Sequence, residues 1–395
     1  MANVFSIPRF IISGEGALSA SADHLKSLGT RALIVTDKAM VDLGNVKKLT
    51  DVLDANSISY FVYDEVNAEP THSMVDKGVE LYASEKCNFL IAIGGGSPLD
   101  AMKAISAVSA NGGSICDYLG KKLVNSLPGM CAIPTTAGTG SEATKICIIT
   151  NTNTDVKMPL NDPKIMVDVA ILESEFTLTS PPHVTAATGV DALTHAIEAY
   201  TSKKAFPLSD LYAISSVKRI FANLYEAYTN GSNVTARNEM ALAAFEGGAA
   251  FTNSSVTIVH GMSRPIGALF HVPHGMSNAM LLSVCLEFLK PAVTSRLCEL
   301  AKAVGVYKAG MSEEAGADAF VAATLDLISK LNISTLIDYN VKKEDFFKYI
   351  PKMSEDAIAS GSPGNTVRTP TKEDLMVLYE KLWNDGEVIY ANKQK

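Results

Sequence analysis

The first 180 residues alternate short apolar runs with longer segments of helical periodicity. The strand-like runs are residues 31–36, 60–63, 89–93 and 130–133, and the helical segments between them are 42–56, 74–86 and 98–110. Runs that are apolar throughout indicate strands buried on both faces, and strands separated by helices indicate a parallel sheet. We therefore predict an α/β domain in this half of the chain.

The second half has a different pattern. After the Pro181–Pro182 pair the strand-like runs stop, and segments of helical periodicity punctuated by proline and glycine follow. We expect two domains, residues 1–181 and residues 182–395, of which the second is all-helical. A length of 395 residues agrees with two domains rather than one.

Composition excludes several classes of protein. The net charge of −8 offers no basic surface for nucleic acid. The mean hydropathy of +0.15 is high, but apolar stretches such as 89–93 and 280–284 are far shorter than the roughly 20 residues of a membrane span. The N-terminus lacks the features of a signal peptide, and the six cysteines form no CxxC motif. These features favour a cytoplasmic protein with reduced thiols that binds neither nucleic acid nor membranes.

Two loops rich in small residues directly follow strand-like runs. Gly94–Lys103 reads GGGSPLDAMK, and Pro134–Glu142 reads PTTAGTGSE. Glycines let backbone N–H groups approach a phosphate, and hydroxyl groups add further donors. Neither loop is a GxGxxG or P-loop motif, and each alone is also compatible with a tight turn or a helix cap. Because ligands of open α/β sheets bind beyond the carboxyl ends of strands, the two loops together predict a nucleotide site.

Asp37 follows the strand-like run at 31–36. A carboxylate at the end of such a strand can accept a hydrogen bond from a ribose 2′-hydroxyl and repel a 2′-phosphate, which favours NAD over NADP. An aspartate that merely stabilises a turn is the alternative.

Four side chains in the second half have the chemistry of a metal site. Asp191 and His195 lie one turn apart on a predicted helix, so they share a face. His260 and His274 would be about 21 Å apart in one straight helix, so they can share a metal only if the chain turns back between them. The residues expected to break that helix are Pro265, Gly267, Pro273 and Gly275. Three imidazoles and one carboxylate suit Fe(II) or Zn(II). The alternative is an Asp191–His195 hydrogen bond beside unrelated histidines.

With these motifs the chain resembles the iron-containing (group III) alcohol dehydrogenases, a family that includes lactaldehyde reductase and 1,3-propanediol dehydrogenase. Besides the two loops, the resemblance rests on the Lys157–Met158 pair and on residues 181–200, 260–280 and 367–375. It implies a dehydroquinate synthase-like fold, with a dinucleotide-binding α/β domain, a helical domain, and cofactor and metal in the cleft between them. It also implies a homodimer or higher homo-oligomer.

The resemblance implies roles for individual residues. Asp191, His195, His260 and His274 match metal ligands, and Phe251 matches an aromatic side chain of the substrate pocket. The positions that match cofactor contacts are Asp37, Gly95, Gly96, Ser97, Asp100, Thr135, Thr136, Thr139, Thr144 and Lys157, and Gly94 opens the same loop. The implied activity is metal-dependent hydride transfer between a small primary alcohol or diol and NAD, with Fe(II) or Zn(II). The alternatives are an NAD-using lyase or cyclase of the dehydroquinate synthase type and a non-catalytic NAD-binding protein.

Arg264 departs from the family pattern. Many members have a histidine four residues after the first histidine ligand of this segment, whereas this chain has an arginine before Pro265. Arginine stays cationic and cannot carry a proton. The proton then leaves through water and the cofactor ribose, or His271 takes over its transfer. Arg264 itself binds an anionic group of the substrate, or pairs with a nearby acid and only holds the loop.

Overall fold

A computed structural model describes residues 2–154 and 156–393. These residues form two compact units. The first contains residues 4–180 and 232–252, and the second contains residues 2–3, 181–231 and 253–393.

The first unit is built on a parallel sheet. The strands of the chain are β1 (Phe10–Ser13), β2 (Arg31–Val35), β3 (Ser59–Tyr63), β4 (Phe89–Gly94), β5 (Gly129–Pro134), β6 (Ile146–Asn151), β7 (Val156–Asn161) and β8 (Val169–Leu172). Six of them form one sheet in the order β1–β8–β5–β4–β2–β3, and every pair is parallel. All residues of β4 and β8 are buried. The predicted parallel α/β architecture is confirmed.

Four strands of this unit were not predicted from the sequence. β1 and β8 are only four residues long, and short runs give little periodic signal. β6 and β7 form an antiparallel hairpin outside the main sheet, with Ile146 paired to Asn161. β7 alternates buried and exposed residues, as expected of a strand with one solvated face.

The described residues form fifteen α-helices, which overlap each of the three helical segments predicted in the first half. They are α1 (Ala17–Ala20), α2 (Ala22–Leu28), α3 (Lys38–Asp42), α4 (Asn45–Ala55), α5 (His72–Ser84), α6 (Gly96–Asn111), α7 (Pro182–Thr201), α8 (Pro207–Thr229), α9 (Val234–Asn253), α10 (Ile258–Phe270), α11 (His274–Leu289), α12 (Thr294–Ala303), α13 (Glu313–Lys330), α14 (Lys343–Ala359) and α15 (Lys372–Lys393). No residue described after β8 lies in a strand, which confirms the all-helical second half. The single helix predicted over 42–56 is wrong at its start, because Gly44 adopts a left-handed φ of 78° between α3 and α4.

The expected helix break at Pro265 and Gly267 is also wrong. α10 continues through both residues, and the chain turns at 271–273, where His271 has a left-handed φ of 56°. Proline in a helix interior removes one hydrogen bond. The helix persists because its apolar side chains, including Ile258 and Ile266, are fully buried and tertiary packing outweighs local preference.

α9 belongs to the first unit although it follows α7 and α8 in the chain. A Cβ on Gly140 would lie 2.6 Å from the Gly248 Cα, and a Cβ on Gly248 would lie 2.6 Å from the Gly140 carbonyl oxygen. The Arg237 guanidinium also donates to the Ser180 carbonyl at 3.1 Å. The compact units therefore differ from the predicted domain ranges in this helix, since sequence periodicity cannot show against which surface a helix packs.

Among the described residues, no single helix is long and apolar enough to cross a membrane. Taken together, His274–Ala292 and Thr294–Ala303 have the length and apolar composition of a membrane span, but the chain bends by 118° between them.

Candidate metal and cofactor sites

α7 places two of the predicted metal ligands on one face. It is buried almost continuously from Thr185 onward, and the side chains of Asp191 and His195 are among the buried ones. The i, i+4 spacing brings His195 Nε2 to 4.0 Å from Asp191 Oδ1.

α10 adds the third predicted ligand. His260 Nε2 lies 2.9 Å from His195 Nε2 and 3.8 Å from Asp191 Oδ1. One ligand-type atom from each of Asp191, His195 and His260 lies within 4.8 Å of the other two, and all three residues are buried. The chain therefore turns back between His260 and His274 as predicted, although the turn follows α10 and does not lie at Pro265 or Gly267.

α11 begins at the fourth predicted ligand, His274. Its ring centroid is 5.3 Å from that of His260. Asn278, one turn further along α11, links the set: its Nδ2 donates to Asp191 Oδ1 at 2.7 Å and lies 3.1 Å from both His260 Nε2 and His274 Nε2.

The donor set fits a divalent transition metal. Three imidazoles and one carboxylate are ligand types that bind Fe(II) or Zn(II), and none of the four proposed ligands is a lysine or an arginine. Asn278 Oδ1, beside the cluster, is buried and has no hydrogen-bond partner in the described structure. A buried oxygen without a partner indicates that the protein groups alone do not satisfy the hydrogen-bonding capacity of this site.

The electrostatics of the cluster favour metal binding. Burial raises the pKa of Asp191, but His195, His274, His260 and the hydrogen bond from Asn278 outweigh it, so the pKa lies below its usual range. Burial and the neighbouring His195 and His274 hold the pKa of His260 well below its ordinary value. A carboxylate and neutral imidazoles are the protonation states that ligate metals.

Two residues of this cluster were missed from the sequence. Glu198 Oε2 lies 2.6 Å from His260 Nδ1, and Asn278 contacts three predicted ligands. Helical spacing would have found both, since Glu198 is three residues after His195 and Asn278 is four after His274.

The two predicted proton-transfer or recognition residues lie elsewhere on α10. His271 is exposed at the helix end, and within residues 2–154 and 156–393 its side chain makes no hydrogen bond. Arg264 is one turn after His260 and partly buried, and its Nη1 donates to Ser362 Oγ at 3.0 Å. No described carboxylate lies within ion-pair distance of Arg264. Burial lowers the pKa of Arg264, and Glu198 opposes that shift.

The predicted nucleotide loops meet in the first unit. β4 lies between β2 and β5, so the residues after all three strands are at one edge of the sheet. Gly94 pairs with Pro134, and the Thr135 amide donates to the Gly94 carbonyl at 2.9 Å. α6 begins at Gly96, so its first backbone N–H groups, in the glycine-rich loop, have no acceptor within the helix itself.

A cavity of about 230 Å³ lies at this edge. Its lining residues are Asp37, Ala39, Val66, Asn67, Ala68, Gly95, Gly96, Ser97 and Pro98. Asp37 also caps α3, accepting from the Met40 amide at 3.0 Å, and burial raises its pKa against the opposing backbone hydrogen bonds. Four predicted cofactor residues therefore share one cavity.

The other predicted cofactor residues are placed differently. Thr136 and Thr139 flank the loop: a Cβ on Gly95 would be 3.7 Å from Thr136 Oγ1, and one on Gly96 would be 2.9 Å from Thr139 Cγ2. Thr135 is buried. Lys157, on β7, forms an ion pair with Glu69 at 2.7 Å, and Phe251 is partly buried on α9.

Asp100 and Thr144 are engaged by protein groups. Asp100 Oδ1 accepts from Ser141 Oγ at 2.7 Å, and Oδ2 accepts from the Ile148 amide at 2.9 Å. Thr144 Oγ1 accepts from the ammonium of Lys103 at 2.9 Å. Both side chains thus hold the PTTAGTGSE loop in place.

Lys103 is a third residue that the sequence did not single out. It is fully buried, and the three hydrogens of its ammonium are shared among five oxygens that lie 2.6–3.1 Å from Nζ: Ser141 O and Oγ, Thr144 O and Oγ1, and Ile146 O. One ammonium group therefore joins α6 to the second nucleotide loop.

Family models match both halves of the chain. Residues 8–174 match the iron-containing alcohol dehydrogenase model, and residues 185–383 match the C-terminal model of the same family. The chain belongs to the iron-containing alcohol dehydrogenase family. This confirms an oxidoreductase acting on CH–OH groups, and supports that activity over the lyase or cyclase.

Individual relatives are similar to this chain over 97–100% of their own lengths. Lactaldehyde reductase of Escherichia coli (strain K12) is 36% identical over 389 residues, covering 97% of this chain and 100% of the relative. NAD-dependent methanol dehydrogenase of Bacillus methanolicus is 35% identical over 374 residues, covering 94% of this chain and 97% of the relative. A crystal structure of 1,3-propanediol oxidoreductase matches with a TM-score of 0.93 at 32% identity, covering 97% of this chain and 100% of that one.

Proposed function

We propose that this member of the family is a metal-dependent, NAD-linked dehydrogenase that interconverts a small primary alcohol or diol and its aldehyde. The main support is that Asp191, His195 and His260 are all buried and each has a ligand-type atom within 4.8 Å of the others. His274, reached through Asn278, completes the proposed ligand set.

Asp191, His195, His260 and His274 would hold a divalent metal, which when bound would supply Lewis-acid chemistry, polarising a substrate oxygen and lowering the pKa of an alcohol. Asp191 supplies the one negative charge among the ligands, and burial of the cluster limits its exposure to water. The described cluster offers no serine or cysteine nucleophile, and hydride transfer needs none.

The cavity beside β4 is the proposed cofactor site. Backbone N–H groups at Gly95, Gly96 and Ser97, at the start of α6, suit the pyrophosphate. Asp37 suits the 2′-hydroxyl of NAD and disfavours the 2′-phosphate of NADP. The remaining matched residues, Thr135, Thr136, Thr139, Asp100, Thr144 and Lys157, contribute through direct contact or by holding these loops.

His271 and Arg264 have different proposed roles. His271, exposed at the end of α10, is the proposed proton carrier to solvent. Arg264 is the proposed recognition group for an anionic substituent, because a partly buried guanidinium that pairs with no carboxylate among residues 2–154 and 156–393 favours an incoming anion. Phe251 is the proposed apolar wall of the substrate pocket.

Three further properties are proposed from the sequence and the family. These are Fe(II) as the resident metal in preference to Zn(II), a homodimeric or larger assembly, and a cytoplasmic location. Metal analysis of protein purified without oxygen, and its mass in solution, test the first two.

A coupled screen tests the proposed function. Protein loaded with Fe(II), Zn(II) or Mn(II) is mixed with NAD and C2–C6 alcohols, diols or hydroxy acids, and NADH absorbance is followed. We expect NADH to accumulate with at least one primary alcohol, whereas a lyase or cyclase would show no net NADH. If acidic substrates are preferred, that preference must be lost in Arg264→Ala; an unchanged preference would remove the anion-recognition role.

A further inference from the structure

Glu198 is the most deeply buried charged side chain near the metal ligands. It lies on α7, three residues after His195 and seven after Asp191, so all three point from one face of the helix. Its exposed fraction is 0%. A carboxylate at that depth is costly unless it is hydrogen-bonded, so its partners indicate what it does.

Both carboxylate oxygens of Glu198 have partners on the segment that carries His260. Oε1 accepts from Thr257 Oγ1 at 2.8 Å and from the Val259 amide at 2.7 Å. Oε2 lies 2.6 Å from His260 Nδ1. The first two contacts fix the carboxylate at the start of α10, and the third reaches the histidine ring.

The last contact determines which ring nitrogen of His260 carries the proton. Burial raises the pKa of Glu198, and the hydrogen bonds from Thr257 and Val259 oppose that shift by favouring the ionised form. In that form the carboxylate only accepts hydrogen bonds, so Nδ1 donates and carries the hydrogen. Nε2 then carries no hydrogen and keeps its lone pair, and it is Nε2 that lies 2.9 Å from His195 Nε2, 3.1 Å from Asn278 Nδ2 and 3.8 Å from Asp191 Oδ1. The same bond fixes the plane of the ring.

We propose that Glu198 is a positioning residue that holds His260 in the Nδ1–H tautomer and aims Nε2 at the metal. The inference rests on the proposed metal site but concerns a residue that binds neither metal nor substrate. Carboxylates that orient ligating histidines contribute strongly to metal affinity, so loss of this one must appear in binding of the ion itself.

Glu198→Gln is the sharpest variant because it changes no volume. A glutamine amide has one acceptor and one donor end. If its oxygen keeps Thr257 and Val259, its NH₂ group faces His260 Nδ1 and drives the proton to Nε2, which removes the lone pair from the metal. If the amide turns around, its NH₂ group faces the Val259 N–H instead, and the hydrogen bond from Val259 is lost because both groups are donors.

The test measures Co(II) binding to chelator-treated full-length protein, by competition with a chromophoric chelator and by the visible absorption of the bound ion. We expect Glu198→Gln to weaken Co(II) binding by about 10- to 100-fold and to change the absorption. Thr201→Val is the matched control, since Thr201 is buried on the same helix but bonds only to the Ile197 carbonyl. It should bind Co(II) as the wild type does.

Two further measurements test whether Glu198 orients His260. Imidazole ¹⁵N shifts of the metal-free protein should show Nδ1–H for His260 in the wild type and a different state in Glu198→Gln. If Glu198→Gln does not fold, Thr257→Val replaces it and should weaken Co(II) binding by about 2- to 5-fold.

Unchanged affinity and absorption in Glu198→Gln, or in Thr257→Val where that variant is needed, would overturn the inference. Failure of the proposed function looks different. In that case the wild type binds Co(II) and Glu198→Gln binds it more weakly, but no alcohol yields NADH.

Discussion

His260 Nε2 lies 2.9 Å from His195 Nε2, although the two residues are 65 positions apart in the chain. Two imidazole nitrogens this close, beside the Asp191 carboxylate, form the centre of the proposed ligand set. The contact requires α10 to pack against α7, so it reports on the tertiary fold as well as on the site.

Removing one of these histidines should separate metal binding from cofactor binding. We expect His260→Ala to lose bound metal and to reduce turnover by more than about 100-fold, a larger effect than loss of a residue outside the ligand set. NADH binding, measured by fluorescence, should be nearly unchanged. His183→Ala, an exposed histidine on α7, is the control. Full activity in His260→Ala would disprove the ligand assignment.

Asn278 should be sensitive to charge. Asn278→Asp places a second carboxylate where the amide nitrogen now lies 2.7 Å from Asp191 Oδ1. Two carboxylates so close repel each other without a cation, so we expect the metal-free variant to lose roughly 2 kcal/mol of unfolding free energy or more. Metal should raise its Tm by more than it raises that of the wild type. Equal Tm values for the two metal-free proteins would contradict this.

Lys103 should control the second nucleotide loop. Lys103→Met removes the ammonium and leaves the buried carbonyl groups of Ser141, Thr144 and Ile146 without this donor. We expect a loss of at least about 2 kcal/mol in unfolding free energy and weaker NADH binding. Lys121→Met, at an exposed lysine, should change neither quantity. Unaltered NADH affinity in a folded Lys103→Met protein would mean that the loop holds its shape without the lysine.

Glu142 predicts a pH dependence of stability. Burial raises its pKa from 4.5 to about 7, and its Oε2 has no hydrogen-bond partner in the described structure. The folded state thus favours the protonated acid, so its contribution is full below pH 4.5 and is lost as pH rises through about 7.

The difference corresponds to about 3 kcal/mol. Glu142→Gln cannot ionise, so urea unfolding should show it more stable than the wild type at pH 8 and nearly equal at pH 5. Glu80→Gln, at an exposed position on α5, should show no such change. The prediction fails if the advantage of Glu142→Gln is the same at both pH values.

The sequence predicted those parts of the site that lie close together in the chain. Asp191 and His195 are one helical turn apart, and each nucleotide loop directly follows a buried strand, so local periodicity was enough to find them. The convergence of Asp37 with the loop after β4 followed from the parallel sheet, because strand ends meet at one edge.

Helical spacing places Glu198 beside His195 and Asn278 beside His274, but the contacts that give the missed residues their roles span long separations in the chain. Glu198 and His260 are 62 positions apart, and Lys103 reaches Ser141 across 38. The close approach of Gly140 and Gly248, which draws α9 into the first unit, has no local signal either. α10 also kept its helix through Pro265 because buried packing outweighed the local cost of proline.

Hydride transfer to NAD should depend on one metal held by the Asp191–His195–His260–His274 set. The most direct test of this dependence is to titrate chelator-treated protein with Fe(II) under nitrogen, in the presence of NAD and a primary alcohol found by the screen, and to follow NADH. We predict no NADH without metal and a rate that rises linearly to a break at one Fe(II) per chain. NADH formation at the full rate in the chelator-treated protein, with no response to added metal, would show that the reaction does not need this metal site.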